Sequence, residues 1–164
     1  MARTYNLDAD FLNRYLEIDK TINSDVVFEH YPRSSKKTPA GFYQWQSTYI
    51  LSGNDTVNNL FLTLKTMRNI DYEYNSFMLS YREHRMQNII CQLEVYPDDV
   101  ISHREPDGAQ VYGPHMHYIE SVEEVRPPNY NNFTWYDWLE YYTKAVNIEI
   151  TGQCTAAFDG ELNL

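Results

Sequence analysis

At 164 residues the chain has the length of one domain, taken as residues 1–164, and can bury a core without disulfides or a structural metal. Its 43% apolar and 22% charged residues are those of an ordinary globular protein, and no tract reaches the length of a membrane helix. Its 23 acidic residues against 13 basic ones give a formal charge of −10, which repels a polyanion and argues against nucleic acid as a direct ligand.

The first element is a helix over 6–20, where Phe11, Leu12, Tyr15 and Leu16 form one apolar stripe and Asn6 or Asp8 can cap the start. A first strand follows over 24–31, closed by Pro32, then a polar loop containing the basic stretch Arg33-Ser34-Ser35-Lys36-Lys37, read as solvated. The middle of the chain alternates with period two. Tyr43, Trp45, Tyr49 and Leu51 share one face, Leu60, Leu62 and Leu64 the next, then Phe77, Leu79 and Tyr81, then Ile89, Cys91, Leu93 and Val95. Short polar breaks at Ser52-Gly53-Asn54-Asp55 and Glu83-His84-Arg85 predict that these strands pair as an antiparallel meander.

Segments 101–105 and 111–120 flank Pro106-Asp107-Gly108 and read as a hairpin. Residues 121–132, with Pro127-Pro128, read as a loop. Thr134 and Asp137 approximate a capping box, and Trp135, Trp138, Leu139, Tyr142, Ala145 and Val146 give the second helix a wide apolar face. A short strand is expected over 148–151, and the tail 159–164 is expected to fray. The fold class is α+β, an antiparallel sheet of about six strands with an N-terminal and a C-terminal helix packed on one face.

Cys91 and Cys154 are too few and too far apart for a disulfide framework, and Met1 to Asp8 carries no apolar signal segment, so a cytoplasmic protein is expected. Fifteen tyrosines suit half-buried sheets and wet interfaces. There is no phosphate-cradling glycine loop, no dinucleotide fingerprint, no serine-hydrolase elbow, no Cys-x-x-Cys and no His-Glu-x-x-His.

The sharpest chemical feature is Gly113-Pro114-His115-Met116-His117-Tyr118. In a strand, His115 and His117 point to one face with Cα atoms about 6.5–7 Å apart, so they can share a divalent metal or act as an acid/base pair. They are the candidate catalytic residues. Equally, they are ordinary sheet residues sharing a face with Val111 and Ile119. Gly113-Pro114 permits a bulge that re-aims the side chains. His103 and Glu120 are the additional candidates. A two-residue Asp107-Gly108 turn would pair His103 with Tyr112 and face it away from the pair; a longer loop, or a bulge at Gly113-Pro114, would bring the three histidines together. Asp98 and Asp99 are further carboxylates with nothing in their spacing to select them. His30 and His84 read as solvated.

The segment Pro114-His115-Met116-His117 on a late strand of a small α+β protein resembles small bacterial families of prophages and toxin–antitoxin loci. That resemblance implies a histidine-based nuclease or a metal-dependent toxin. Three functional readings follow. The first is a small interaction module of mobile-element origin with a protein partner. The second is a histidine-dependent hydrolase or nuclease using His115 and His117, with a divalent metal as cofactor. The third is an acidic nucleic-acid mimic that occupies a basic groove.

Overall fold

The computed structural model describes residues 7–30, 43–54, 57–69 and 71–157. In chain order these form α1 (Ala9–Glu17), β1 (Lys20–Ile22), β2 (Glu29–His30), β3 (Tyr43–Ile50), β4 (Leu60–Arg68), β5 (Glu73–Glu83) and β6 (Met86–Val95). There follow β7 (Ile101–Arg104), β8 (Gln110–Tyr112), β9 (His115–His117), β10 (Val122–Glu124), a turn of 3-10 helix (Tyr130–Asn132), α2 (Trp135–Ala145) and β11 (Ile148–Ile150). The Asn6 cap, the basic stretch Arg33 to Lys37 and the tail lie outside the described residues.

Strands β3 to β6 pair in sequence as the expected antiparallel meander. The register aligns Tyr49, Leu62, Leu79 and Cys91 across four strands, and Leu64, Phe77, Leu93 and Met116 across β4, β5, β6 and β9. Period-two alternation therefore assembles one continuous apolar face from four separate segments. With two short edge strands the main sheet has seven members, in the order β10-β9-β6-β5-β4-β3-β2.

Both helices cover that apolar face, as the stripes on each require. From α1, the Tyr15 ring stacks on Tyr81 at 5.5 Å and Phe11 meets Tyr81 edge-on at 5.6 Å. From α2, Trp135 and Tyr142 pack on Phe77 at 6.0 and 5.9 Å. Thr134 and Asp137 form the capping box at the start of α2. Ala145, placed in the apolar stripe by spacing, is exposed, and Thr143 is buried instead.

Several boundaries differ from expectation. Helix α1 begins after Asp8, whose side chain accepts from the amides of Asp10 and Phe11, and it ends at Glu17. Lys20 is buried, and its Nζ donates to the carbonyls of Tyr15 and Ile18, closing the C-terminal turn. Burial lowers the Lys20 ammonium to about 8, with Asp19 acting the other way. The chain then enters β1, which pairs in parallel with β11. That pair, separate from the main sheet, has three residues per strand and no local signature. Among the described residues of the strand expected over 24–31, Glu29–His30 joins the sheet, while Val26 makes an isolated bridge to Cys154. Residues 122–124, read as loop, instead form β10 on β9.

The alternation expected in β6 is interrupted. Leu79 pairs with Cys91 but Ser80 pairs with Ile89, so Ile90 is an extra residue in a bulge. Ile90 and Cys91 are both buried, and Ile89 is turned aside. The Tyr142 hydroxyl sits at the bulge, accepting from the Leu79 amide at 2.7 Å and donating to the Cys91 carbonyl at 2.9 Å. Tyr142→Phe should remove both of these buried hydrogen bonds and cost about 1–3 kcal/mol. Urea unfolding with an unchanged m-value checks this; a midpoint equal to wild type would show that the hydroxyl is dispensable.

Candidate metal centre

The sheet face opposite the helices carries the polar residues. Because Leu93 and Met116 are paired and face the core, their strand neighbours Glu94, His115 and His117 face the other way. The register sets Glu94 opposite His115 and Gln92 opposite His117. Both imidazoles are buried, His115 completely.

The ligand atoms of these three residues converge. The two Nε2 atoms are 2.8 Å apart, and Glu94 Oε2 lies 3.2 Å from that of His115 and 3.0 Å from that of His117. A divalent ion with bonds of about 2.0–2.1 Å sets neighbouring ligand atoms about 2.9 Å apart in octahedral and about 3.4 Å in tetrahedral geometry. The observed edges of 2.8, 3.0 and 3.2 Å lie toward the octahedral end. Among the described residues, these three make up the metal-ligating group that converges.

Local structure aims each side chain. Gly113 adopts φ 64°, in the left-handed region, and a Cβ there would stand 2.6 Å from Asp98 Oδ1. This turn splits the expected strand 111–120 into β8 and β9, so Val111 belongs to a different sheet from the two histidines. It also brings the Gly113 carbonyl 3.2 Å from His115 Nδ1. A carbonyl can only accept, so this contact suits a proton on Nδ1, the tautomer in which a neutral ring presents the Nε2 lone pair to the centre. Glu94 is fixed from its other oxygen: Tyr74 Oη donates to Oε1 at 2.6 Å and Gln92 Nε2 at 3.3 Å. That leaves Oε2 for the imidazoles.

The electrostatics follow. Burial would push the Glu94 carboxyl up, but its bonds from His115, His117 and Tyr74 outweigh this and hold it well below the usual carboxylate range. Burial, and then the Glu94 charge, push Tyr74 up, so it stays a hydrogen-bond donor. Tyr96, stacked over His115 at 6.3 Å, is pushed up to about 12 by burial and by the same charge. The bonds that depress Glu94 need protons on the Nε2 atoms, whereas in the neutral tautomer with Nδ1 of His115 protonated its Nε2 and Glu94 Oε2 are two acceptors facing each other. His117 Nε2 can offer them at most one proton between them when neutral. A cation would satisfy all three atoms at once in place of those protons.

The other sequence candidates are distributed as follows. The loop of the β7–β8 hairpin has three residues, not two: the Gly108 amide donates to the Glu105 carbonyl, and the Glu105 amide to that of Ala109. His103 consequently pairs with Val111, and the register shifts between Ile101 and His103. Its ring therefore turns toward the pair, with centroids 5.0 Å from His117 and 6.1 Å from His115. Glu120 is exposed in the turn after β9 and outside the cluster. Asp98 and Asp99 are exposed, with Asp98 accepting from Tyr130 Oη at 2.9 Å. His84 is exposed in the β5–β6 turn, and His30 ends β2.

Glu94 is the functional candidate that sequence reasoning missed. Its one signal is that it is the only acidic residue in the otherwise neutral segment Met86–Val95. No helix among the described residues is long and apolar enough to cross a membrane. Scans against protein-family models, curated proteins and solved structures returned no match, so the reading of this site rests on its own geometry.

Proposed function

We propose that the protein is a metal-dependent hydrolase of the histidine type, with Glu94, His115 and His117 holding one first-row divalent ion. The observation that carries this reading is the convergence of three ligand atoms within 3.2 Å of one another. Two imidazoles and a carboxylate suit zinc, iron or manganese, and the imidazoles argue against magnesium or calcium. An ion there would supply Lewis acidity toward a water molecule or a carbonyl or phosphoryl oxygen. The protein's own part is to hold the lone pairs in place, through the Gly113 carbonyl behind His115 and Tyr74 behind Glu94.

The same observation favours this reading over an interaction module, since two imidazoles and a carboxylate converging in a buried site are the donor set of a divalent metal. The charge of −10 favours a small or cationic substrate over a nucleic acid. The likeness of Pro114-His115-Met116-His117 to prophage and toxin families adds a cellular form of the proposal, that the activity arrests growth of a bacterial host. A panel of chromogenic esters, amides and phosphodiesters tests it. Hydrolysis should be lost with a chelator, return with zinc or manganese, and be absent in Glu94→Ala. Metal binding without metal-dependent turnover of any class, and without growth arrest on expression, would overturn the hydrolase assignment.

A further inference from the structure

We infer that His103 is a fourth protein ligand of the same ion, carried over the site by the β7–β8 hairpin; this rests on the proposal that Glu94, His115 and His117 hold a metal. Two imidazoles bound to one ion through Nε2 have ring centroids separated by about 4.5 Å when at right angles and by about 6.3 Å when opposite, given bonds of about 2.0–2.1 Å. The three centroid separations among His103, His115 and His117 are 4.6, 5.0 and 6.1 Å. All three lie in the interval that a shared ion imposes, and they do so although His103 comes from a separate two-stranded sheet.

The ring nitrogens of His103 stand outside the inner group of ligand atoms. Its Nε2 is turned toward Glu105 Oε1 at 3.6 Å, beyond hydrogen-bond range, and both side chains are partly open to solvent. Such a pair holds the ring weakly, so a side-chain rotation toward the ion gives up little. His115 and His117 are buried and pinned by neighbouring strands, whereas the β7–β8 hairpin is a separate sheet, held from outside by Arg126 donating to the Tyr112 carbonyl. His103 is accordingly the ligand that can yield its position to a substrate oxygen. The site would then be closed by a third imidazole at rest and opened by exchange at that position.

The experiment uses the whole chain loaded with Cu(II) and, separately, Co(II). Electron spin echo spectra of the Cu(II) protein should report three coordinated imidazoles in the wild type and two in His103→Ala. The Co(II) absorption of His103→Ala should change from that of wild type and be restored by added imidazole. Imidazole should not restore metal binding in His115→Ala, whose position is sealed. Zinc affinity of His103→Ala should fall at least about tenfold. Two imidazoles in the wild-type Cu(II) spectrum, or His103→Ala with unchanged zinc affinity and Co(II) spectrum, would overturn the role of His103 and leave the three-residue centre standing. A wild type that binds none of these ions would overturn both.

Discussion

Replacing His117 with alanine is expected to abolish metal binding and leave a folded protein. Loss of an outer-shell partner typically weakens a site about 10–100-fold, so loss of one of three inner ligands should exceed that. His117 is slightly more open to solvent than His115, so the apo melting temperature should fall less than in His115→Ala. His115 is fully buried, and His115→Ala should lose the metal and some stability as well. The double variant should bind metal no worse than either single one, because the ligands act as a unit. Zinc at a hundred times its dissociation constant stabilises a folded protein by about 2.7 kcal/mol, worth roughly 5–10 °C in melting temperature here. Wild type should show that shift, and both single variants should lose it.

The pH dependence has a definite sign. Metal binding requires deprotonated imidazole nitrogens, so affinity should fall as pH drops below neutrality. The Glu94 carboxyl is held below its ordinary value of 4.5 in the folded chain, so it adds no protonation step near that value. For the apo fold, a depressed carboxyl contributes stability that is fully present above its ordinary value and lost as pH falls below it. Zinc-dependent stabilisation should thus disappear at a higher pH than the acid unfolding of the apo protein. Isothermal titration at stepped pH and acid melts read the two limbs separately.

The largest loss of stability is expected from Trp138→Ala. Trp138 lies at the centre of the α2 stripe, 4% exposed, edge-on to Phe133 at 4.9 Å and near Tyr141 at 6.0 Å. Truncating a buried tryptophan costs about 3–5 kcal/mol, which corresponds to roughly 6–20 °C in a chain of this length. The Glu94, His115 and His117 cluster lies on the opposite face of the sheet. Trp138→Ala should therefore melt early yet bind zinc with wild-type affinity while folded, the inverse of His117→Ala. A wild-type melting temperature would mean that α2 does not anchor the sheet as described.

These two variants separate what was legible in the sequence from what was not. The meander and its helix-covered face were legible because each strand pairs with its neighbour in the chain and each carries its own alternation, as Leu60, Leu62 and Leu64 do. The parallel β1–β11 pair was not, since Lys20 and Ile148 meet across almost the whole chain and three residues leave no periodic trace. In the site, Gly113-Pro114 and the two histidines were readable as a unit. Glu94 was hidden because β9 pairs with β6 and not with β8, its neighbour in the chain, and that order is a property of the whole sheet. His103 turned on one residue of loop length: the third residue at Gly108, with φ 90°, reverses the parity that a two-residue turn would set.

Metal content tests the central claim most directly. Protein purified without chelator and equilibrated with zinc should retain one ion per chain by elemental analysis, release it to a chelator, and take it up again. His117→Ala, handled identically, should retain none. Wild-type protein that stays metal-free after exposure to zinc, manganese, iron and cobalt, with no change in melting temperature, would contradict the account. Glu94, His115 and His117 would then be a buried hydrogen-bonded cluster and not a metal centre.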